Sequence, residues 1–148
     1  MPGSTTSYFF PDINVWVALN SSGHVHHHVA SDWYDSLDGD HRFCFCRLTQ
    51  LGLLRLLTSE AVMRDDVLSQ SQAWKVFDSW IERGGAQLLD EPPLLDRPFR
   101  RLTEGRQSAP KTWADAYLAA FAEASQIILV TFDRAFRGKV KPLILLGD

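Results

Sequence analysis

Three aspartates stand where their carboxylates could act together on one ligand. Asp12 ends an apolar segment, Asp133 follows a second apolar segment, and Asp115 lies in the first turn of the expected helix between them. In open parallel sheets, ligand sites form outside the carboxyl ends of the strands. We therefore expect Asp12 and Asp133 to converge at one edge of a sheet, with Asp115 reaching over from a neighbouring helix.

Each aspartate also has a simpler explanation when it is taken alone. Aspartate is a favoured helix N-cap, so Asp12 and Asp133 could each cap the segment that follows. Thr112 and Asp115 are three residues apart and resemble a capping box. Capping does not require three acids at ends that share one sheet edge, so the joint placement favours a ligand site.

The chemistry of such a trio is that of a divalent cation. Gathered carboxylates raise each other's pKa unless a cation neutralises them. Hard oxygen ligands without cysteine suit Mg²⁺ or Mn²⁺, and water activated by such an ion can attack phosphorus. The candidate catalytic and metal residues are therefore Asp12, Asp115 and Asp133. Asn14 and Thr131 are expected to support them, or to act as local turn or cap residues.

Two other groups of reactive side chains are better explained by structure. His24 and His28 have a spacing that can bind zinc, but no acidic or thiol partner of matching pattern follows, which favours a structural or solvated role. Cys44 and Cys46 would share one face of a strand, and we expect them to be small buried hydrophobes. A phosphatase with an aspartyl nucleophile at Asp12 would need a second aspartate at the position of Asn14.

The elements that must position these residues alternate between strand and helix. This order predicts α/β layers around a mostly parallel sheet. On the third expected helix, Leu51, Leu54 and Leu57 form the predicted buried stripe, and Leu48, Leu53 and Leu56 widen it. Strands are expected at residues 8–12, 42–46, 86–89, 126–131 and 143–146, helices at 13–19, 24–37, 47–58, 69–83, 94–103 and 112–124, a polar connection at 59–66, and a turn or short helix at 133–136.

Composition limits the possible classes of protein. A chain of 148 residues with 45% hydrophobic and 22% charged residues predicts a single globular domain, residues 1–148. No apolar run approaches the roughly 20 residues that span a bilayer, and the start lacks the pattern of a signal peptide. We therefore expect a cytoplasmic protein without membrane association. The net charge of −3 means that a nucleic-acid ligand would need local basic residues.

Four stretches of the chain resemble the PIN domains, and within them the VapC toxins of bacterial toxin–antitoxin pairs. They occur in that family's order and spacing, and the resemblance covers nearly the whole chain. The stretches are residues 11–16 (PDINVW), 48–56 (LTQLGLLRL), 113–120 (WADAYLAA) and 131–136 (TFDRAF).

The resemblance implies a PIN-like three-layer α/β/α fold and a Mg²⁺- or Mn²⁺-dependent endoribonuclease that cleaves RNA. It also implies a homodimer and a cognate antitoxin that covers the site. Asp12, Asp115 and Asp133 match three of the family's acidic positions. The fourth position, usually glutamate, is Gln50 here, whose uncharged amide is a poor general base. Gln50 is therefore expected to play a supporting role.

This departure leaves two functions open. The first is an RNA-cleaving enzyme that works with three acids alone or with compensation by another acid such as Glu60 or Asp65. The second is a catalytically weakened PIN domain that binds RNA or an antitoxin-like partner without cleavage. In either case the candidate RNA-binding residues are Lys111, Arg134 and Arg47. Arg55, surrounded by leucines, is expected to pair with a carboxylate or to contact a partner.

Overall fold

Short runs of aromatic and branched residues form a five-stranded sheet in which every neighbouring pair is parallel. The computed structural model describes residues 5–147, so the outermost residues of the predicted 1–148 domain lie outside the described part. The strand order is β3-β2-β1-β4-β5. The strands are β1 (Ser7–Pro11), β2 (His41–Phe45), β3 (Ala86–Leu88), β4 (Ile128–Thr131) and β5 (Leu143–Leu145).

Helices occupy the connections between these strands. Their order along the chain alternates with the strands, which is what a parallel sheet requires of its crossovers. No described helix is long and apolar enough to cross a membrane. The helices are α1 (Ile13–Asn20), α2 (His27–Asp35), α3 (Arg47–Leu57), α4 (Glu60–Met63), α5 (Gln70–Glu82), α6 (Asp96–Leu102) and α7 (Thr112–Ser125), with 3-10 turns at Arg64–Asp66 and Arg134–Phe136.

The sheet separates two hydrophobic cores, because successive strand residues point to opposite faces. Phe9 belongs to the core beneath α1, α2, α3 and α5, whereas Phe10 belongs to the core beneath α6 and α7. The first core is rich in aromatic rings, and Trp16 stacks on Phe45 with ring centroids 4.0 Å apart. The second is lined by the alanines of α7. These two cores confirm the predicted α/β/α layers.

Cys44 and Cys46 face the second core together. Both are buried and free, as their spacing on one strand face predicts. Burial raises the pKa of the Cys44 thiol to about 11, so this side chain behaves as a neutral apolar group. The prediction that the pair consists of small buried hydrophobes is confirmed.

Several predicted boundaries were wrong, for local reasons. The helix expected at residues 24–37 begins only at His27, because residues 24–26 form turns in which the His26 N–H donates to His24 Nδ1 at 3.0 Å. The connection expected at 59–66 contains α4 and a 3-10 turn. Leu51, assigned to the buried stripe of α3, is 56% exposed, because the buried side of the helix runs through Leu53 and Leu57.

A close helix contact lies beside the first aspartate. Helices α1 and α3 meet where Gly52 faces Ile13, the residue that follows Asp12. A Cβ atom built on Gly52 would lie within 3 Å of three Ile13 side-chain carbons. This position therefore needs glycine, and the contact holds the start of α1 against α3.

Candidate active site

The carboxyl ends of β1 and β4 meet at the centre of the sheet and bring Asp12 and Asp133 together. The two strands are paired neighbours, and the backbone N–H of Asp12 donates to the Val130 carbonyl at 2.8 Å. Asp12, Asp133 and Asp115 from the first turn of α7 line one cleft of about 620 Å³. The structure therefore brings together the three aspartates that the sequence predicted to converge.

Asp12 is held by two hydrogen bonds from opposite sides. Its Oδ1 accepts a hydrogen bond from the Ile13 N–H at 2.6 Å, so Asp12 is the N-cap of α1. Its Oδ2 accepts a hydrogen bond from the Thr131 hydroxyl at 3.0 Å. Burial raises the pKa of the Asp12 carboxyl, and the negative charges of Asp115 and Asp133 raise it further, while the two hydrogen bonds oppose this shift.

Thr131 connects two of the aspartates. Its side chain is fully buried, and its hydroxyl donates to Asp12 while accepting the backbone N–H of Asp133 at 3.0 Å. Asp133 in turn caps the following 3-10 turn, with its Oδ1 accepting from the Ala135 N–H at 2.9 Å. The capping explanations for Asp12 and Asp133 therefore hold, and capping leaves both residues on the cleft.

Asp115 is not a cap. The N-cap of α7 is Lys111, whose side chain makes no capping hydrogen bond, and Thr112 donates instead to the Ala109 carbonyl at 2.9 Å. The capping box expected for Thr112 and Asp115 was therefore wrong. Burial raises the pKa of the Asp115 carboxyl, the charge of Asp133 raises it further, and the charge of Lys139 lowers it.

The donor set of the cleft fits a hydrated hard cation better than a fully ligated one. Among residues 5–147, no three His, Cys, Asp or Glu side chains lie close enough together to hold a metal ion. Mg²⁺ keeps several waters and is usually bound through one or two carboxylates, so a closed cage is not required. The oxygen-only carboxylates are compatible with such an ion, because burial and neighbouring negative charge raise the pKa values of Asp12 and Asp115.

The expected supporting residues lie in different places. Asn14 is exposed and lines the cleft beside Asp12. Gln50 is buried, with 3% exposure, and its side-chain carbonyl accepts from Arg47 at 2.6 Å. Gln50 is absent from the described cleft lining, as are Glu60 and Asp65. The fourth acidic corner of the family pattern therefore has no charged substitute at the cleft.

The three expected basic residues do not line the described cleft. Lys111, Arg134 and Arg47 are all exposed and lie outside the described lining. Arg55 does line the cleft. Arg55 is exposed. The two ion pairs in the described part of the chain join Arg100 to Asp96 and Arg101 to Glu123, so Arg55 takes part in neither. The carboxylate pairing expected for Arg55 is therefore not found.

Sequence reasoning missed four of the residues that line the cleft. His24, Val25, His26 and Phe132 line it, and the rings of His26 and Phe132 are stacked with centroids 4.4 Å apart. The only available signal was the aromatic residue between Thr131 and Asp133. The histidine turn carries no periodic pattern that predicts which direction its side chains take.

Comparison with known proteins shows the family. The PIN-domain family profile matches residues 9–141. Ribonuclease VapC41 of Mycobacterium tuberculosis is 40% identical over 129 residues, covering 84% of this chain and 88% of that protein. The chain belongs to the PIN-domain family, whose ribonucleases generally depend on divalent metal ions. The resemblance to the VapC ribonucleases within that family is likewise confirmed.

Solved structures confirm the fold. VapBC2 from Rickettsia felis, bound to a DNA fragment from its promoter, has a TM-score of 0.63 at 15% identity and covers 93% of this chain and 96% of that one. Mycobacterium tuberculosis VapC20, a toxin that cleaves the sarcin–ricin loop, has a TM-score of 0.61 at 16% identity and covers 87% and 92%. At these identities the likeness supports the fold alone.

Proposed function

We propose that this protein is a metal-dependent endoribonuclease of the VapC type, with Asp12, Asp115 and Asp133 holding Mg²⁺ or Mn²⁺. The observation that carries the proposal is the shared cleft, in which burial first, and then the charges of Asp115 and Asp133, raise the pKa of the half-buried Asp12. Removing a carboxylate from water beside two others is unfavourable, and a bound cation reverses that effect.

The residues of the cleft have different roles in holding the carboxylates. The Thr131 hydroxyl and the Ile13 N–H orient the two oxygens of Asp12, while Asp133 is fixed by its backbone bond to Thr131. Asp115 approaches from α7 and completes the acidic side. When bound, the divalent cation supplies activated water for attack on phosphorus and offsets the charge of the phosphodiester.

An acidic protein needs local positive charge to bind RNA. The net charge is −3, and the acidic cleft itself repels phosphate. Lys111, Arg134 and Arg47 are exposed, and their positive charges would bind the RNA backbone, which positions a substrate without reading its sequence.

The family resemblance extends the proposal to partners and location. We propose a cognate antitoxin that obstructs the cleft, a homodimeric assembly, and a cytoplasmic protein that forms one domain over residues 1–148. The resemblance to VapC toxins supports each of these points.

One observation favours a second function. Gln50 stands where the family usually has glutamate, and it is buried and held by Arg47. A cleft with one acid fewer binds a cation more weakly. The alternative is therefore a PIN domain that binds RNA or an antitoxin-like protein without cutting.

Cleavage assays with Asp12→Asn separate these functions. Asparagine is as good an N-cap as aspartate, so the variant keeps the start of α1 while losing the charge. We expect wild-type protein with Mn²⁺ or Mg²⁺ to cleave structured RNA, and Asp12→Asn to lose at least about a hundredfold in rate, as when one charge-stabilising group is removed.

Glu60→Gln is the matched control, because Glu60 is an exposed acid outside the described cleft lining. This variant should retain full cleavage activity. If wild type and Asp12→Asn were equally inert with both metals, the nuclease proposal would be abandoned in favour of the binding function.

A further inference from the structure

The His26–Phe132 ring pair forms a stacked aromatic surface in the cleft that the aspartates line. The ring centroids are 4.4 Å apart and the ring planes are inclined by 22°. Both residues line the same cleft as Asp12, Asp115 and Asp133. The cleft therefore combines acidic side chains with an aromatic surface.

Packing and hydrogen bonds hold the two residues of the pair in place. Phe132 is half-buried and packs against the aromatic core beneath α1 and α2. The backbone N–H of His26 donates to His24 Nδ1 at 3.0 Å, which fixes the turn that carries the imidazole. His27 holds the other end of that turn through Nδ1 and the Ala18 carbonyl, 2.7 Å apart.

Local structure does not account for the His26 side chain. His26 occupies the N-cap position of α2, yet its side chain makes no capping hydrogen bond. It is exposed, so it does not fill the core, and among residues 5–147 it belongs to no group of three His, Cys, Asp or Glu side chains close enough together to hold a metal ion. An exposed imidazole ring that stacks on a half-buried phenyl ring beside an acidic site offers a planar ligand a surface on which to stack.

We infer that the His26–Phe132 pair is a stacking subsite for an unpaired RNA base at the cleavage site. Bases of single-stranded RNA stack on aromatic side chains, and every base has a π-face, so such a platform binds without strict sequence preference. Phe132 precedes Asp133 directly, so a base on this platform has its phosphodiester next to the carboxylates. Arg55, exposed on the same cleft, suits the adjoining phosphate.

The inference rests on the proposed function for its substrate class, but its test does not require cleavage. Fluorescence anisotropy would measure binding of fluorescein-labelled short single-stranded A, C, G and U homopolymers in the Asp12→Asn background with Mg²⁺. His26→Ala should weaken RNA binding about tenfold, the scale of one lost base–aromatic stack. His26→Phe should retain most of the affinity, because it keeps the ring.

Two controls separate stacking from other effects. His28→Ala changes an exposed histidine of the same segment that is outside the described cleft lining, and it should bind RNA like the parent. A homopolymer with abasic sites should bind the parent more weakly and should show a smaller effect of His26→Ala, because the base that stacks is already missing.

Each outcome decides the inference independently of the nuclease proposal. Equal RNA binding by His26→Ala and the parent would overturn it, even if the wild type cleaves RNA. Equal losses in His26→Phe and His26→Ala would also overturn it, since charge or hydrogen bonding would then be responsible. Absence of RNA binding by the parent would overturn it as well. Ring-dependent binding without cleavage by the wild type would support the subsite and contradict the nuclease.

Discussion

Asp12 and Asp115 line the same cleft, but they are held in different ways. Asp12 sits at the end of a central strand, and hydrogen bonds from the Ile13 N–H and the Thr131 hydroxyl constrain both of its oxygens. Asp115 lies in a helix turn that lacks a side-chain cap; burial and the charge of Asp133 raise its pKa, and the charge of Lys139 opposes this shift.

This difference distinguishes a carboxylate with a fixed orientation, that of Asp12, from one with an adjustable orientation, that of Asp115. Short hydrogen bonds set the direction of a carboxylate, and salt barely affects them when they are buried. A charge on an exposed lysine sets no direction and is screened by salt. We therefore expect the Asp12 carboxylate to keep its orientation when the salt concentration changes, and the Asp115 carboxylate to reorient more easily.

The largest expected effect is the loss of cation-induced stabilisation. At one hundred times its dissociation constant, Mn²⁺ should raise the free energy of unfolding of the wild type by about 2.7 kcal/mol. Asp12→Asn should lose most of this gain, and Asp115→Asn a smaller part, because water can replace an adjustable ligand more easily than a fixed one. Thermal unfolding with Mn²⁺ and with chelator measures both.

Glu60→Gln should keep the full gain, since this residue is exposed outside the described cleft lining. Equal losses in the two aspartate variants would break the distinction between a fixed and an adjustable ligand.

An intermediate effect is expected at Thr131. Thr131→Val removes the donor to Asp12 and the acceptor for the Asp133 N–H in a fully buried position, which should cost about 1–3 kcal/mol of stability. The pKa of Asp12 should also rise, because this hydrogen bond lowers it. Urea unfolding in chelator and NMR titration provide the two measurements.

Thr131→Ser keeps the hydroxyl and should resemble the wild type in the pKa of Asp12. If Thr131→Val left that pKa unchanged, the hydrogen bond would not be what fixes Asp12.

The smallest expected effect concerns Lys139. Lys139→Gln should raise the pKa of Asp115 at low salt, and the difference should vanish in 1 M salt, where the Debye length is about 3 Å. The pKa of Asp12 should not respond. Lys141→Gln is the matched control, a nearby exposed lysine that does not contribute to the Asp115 shift. A salt-independent change at Asp115 would mean that Lys139 acts through local structure.

Much of the fold was predictable from the chain because strand-sized apolar runs alternate with helix-sized segments. The order of strands and helices, the parallel sheet and the positions of Asp12 and Asp133 at strand ends all follow from that pattern. Boundaries were less accurate where a side chain competes with the backbone, as at the histidine turn before α2. The buried side of α3 was also misjudged, since leucine occurs all round that helix.

The candidate site, like the fold, was only partly predictable from the sequence. Sequence spacing placed the three aspartates together, but it could not distinguish caps from free carboxylates. Asp12 and Asp133 are both caps and cleft residues, whereas Asp115 is no cap at all. Gln50 was recognised as a departure from the family pattern, but its burial against Arg47 depends on how α3 packs.

The sequence by itself determined which acidic residues meet at the cleft, because parallel strands bring residues at their carboxyl ends to one edge of the sheet. Only the tertiary structure decided how each carboxylate is held and which other side chains line the cleft. The reason is that Thr131, His26 and Phe132 act through contacts between segments distant along the chain. Thr131 reaches Asp12 across 119 positions, and no local pattern encodes that distance.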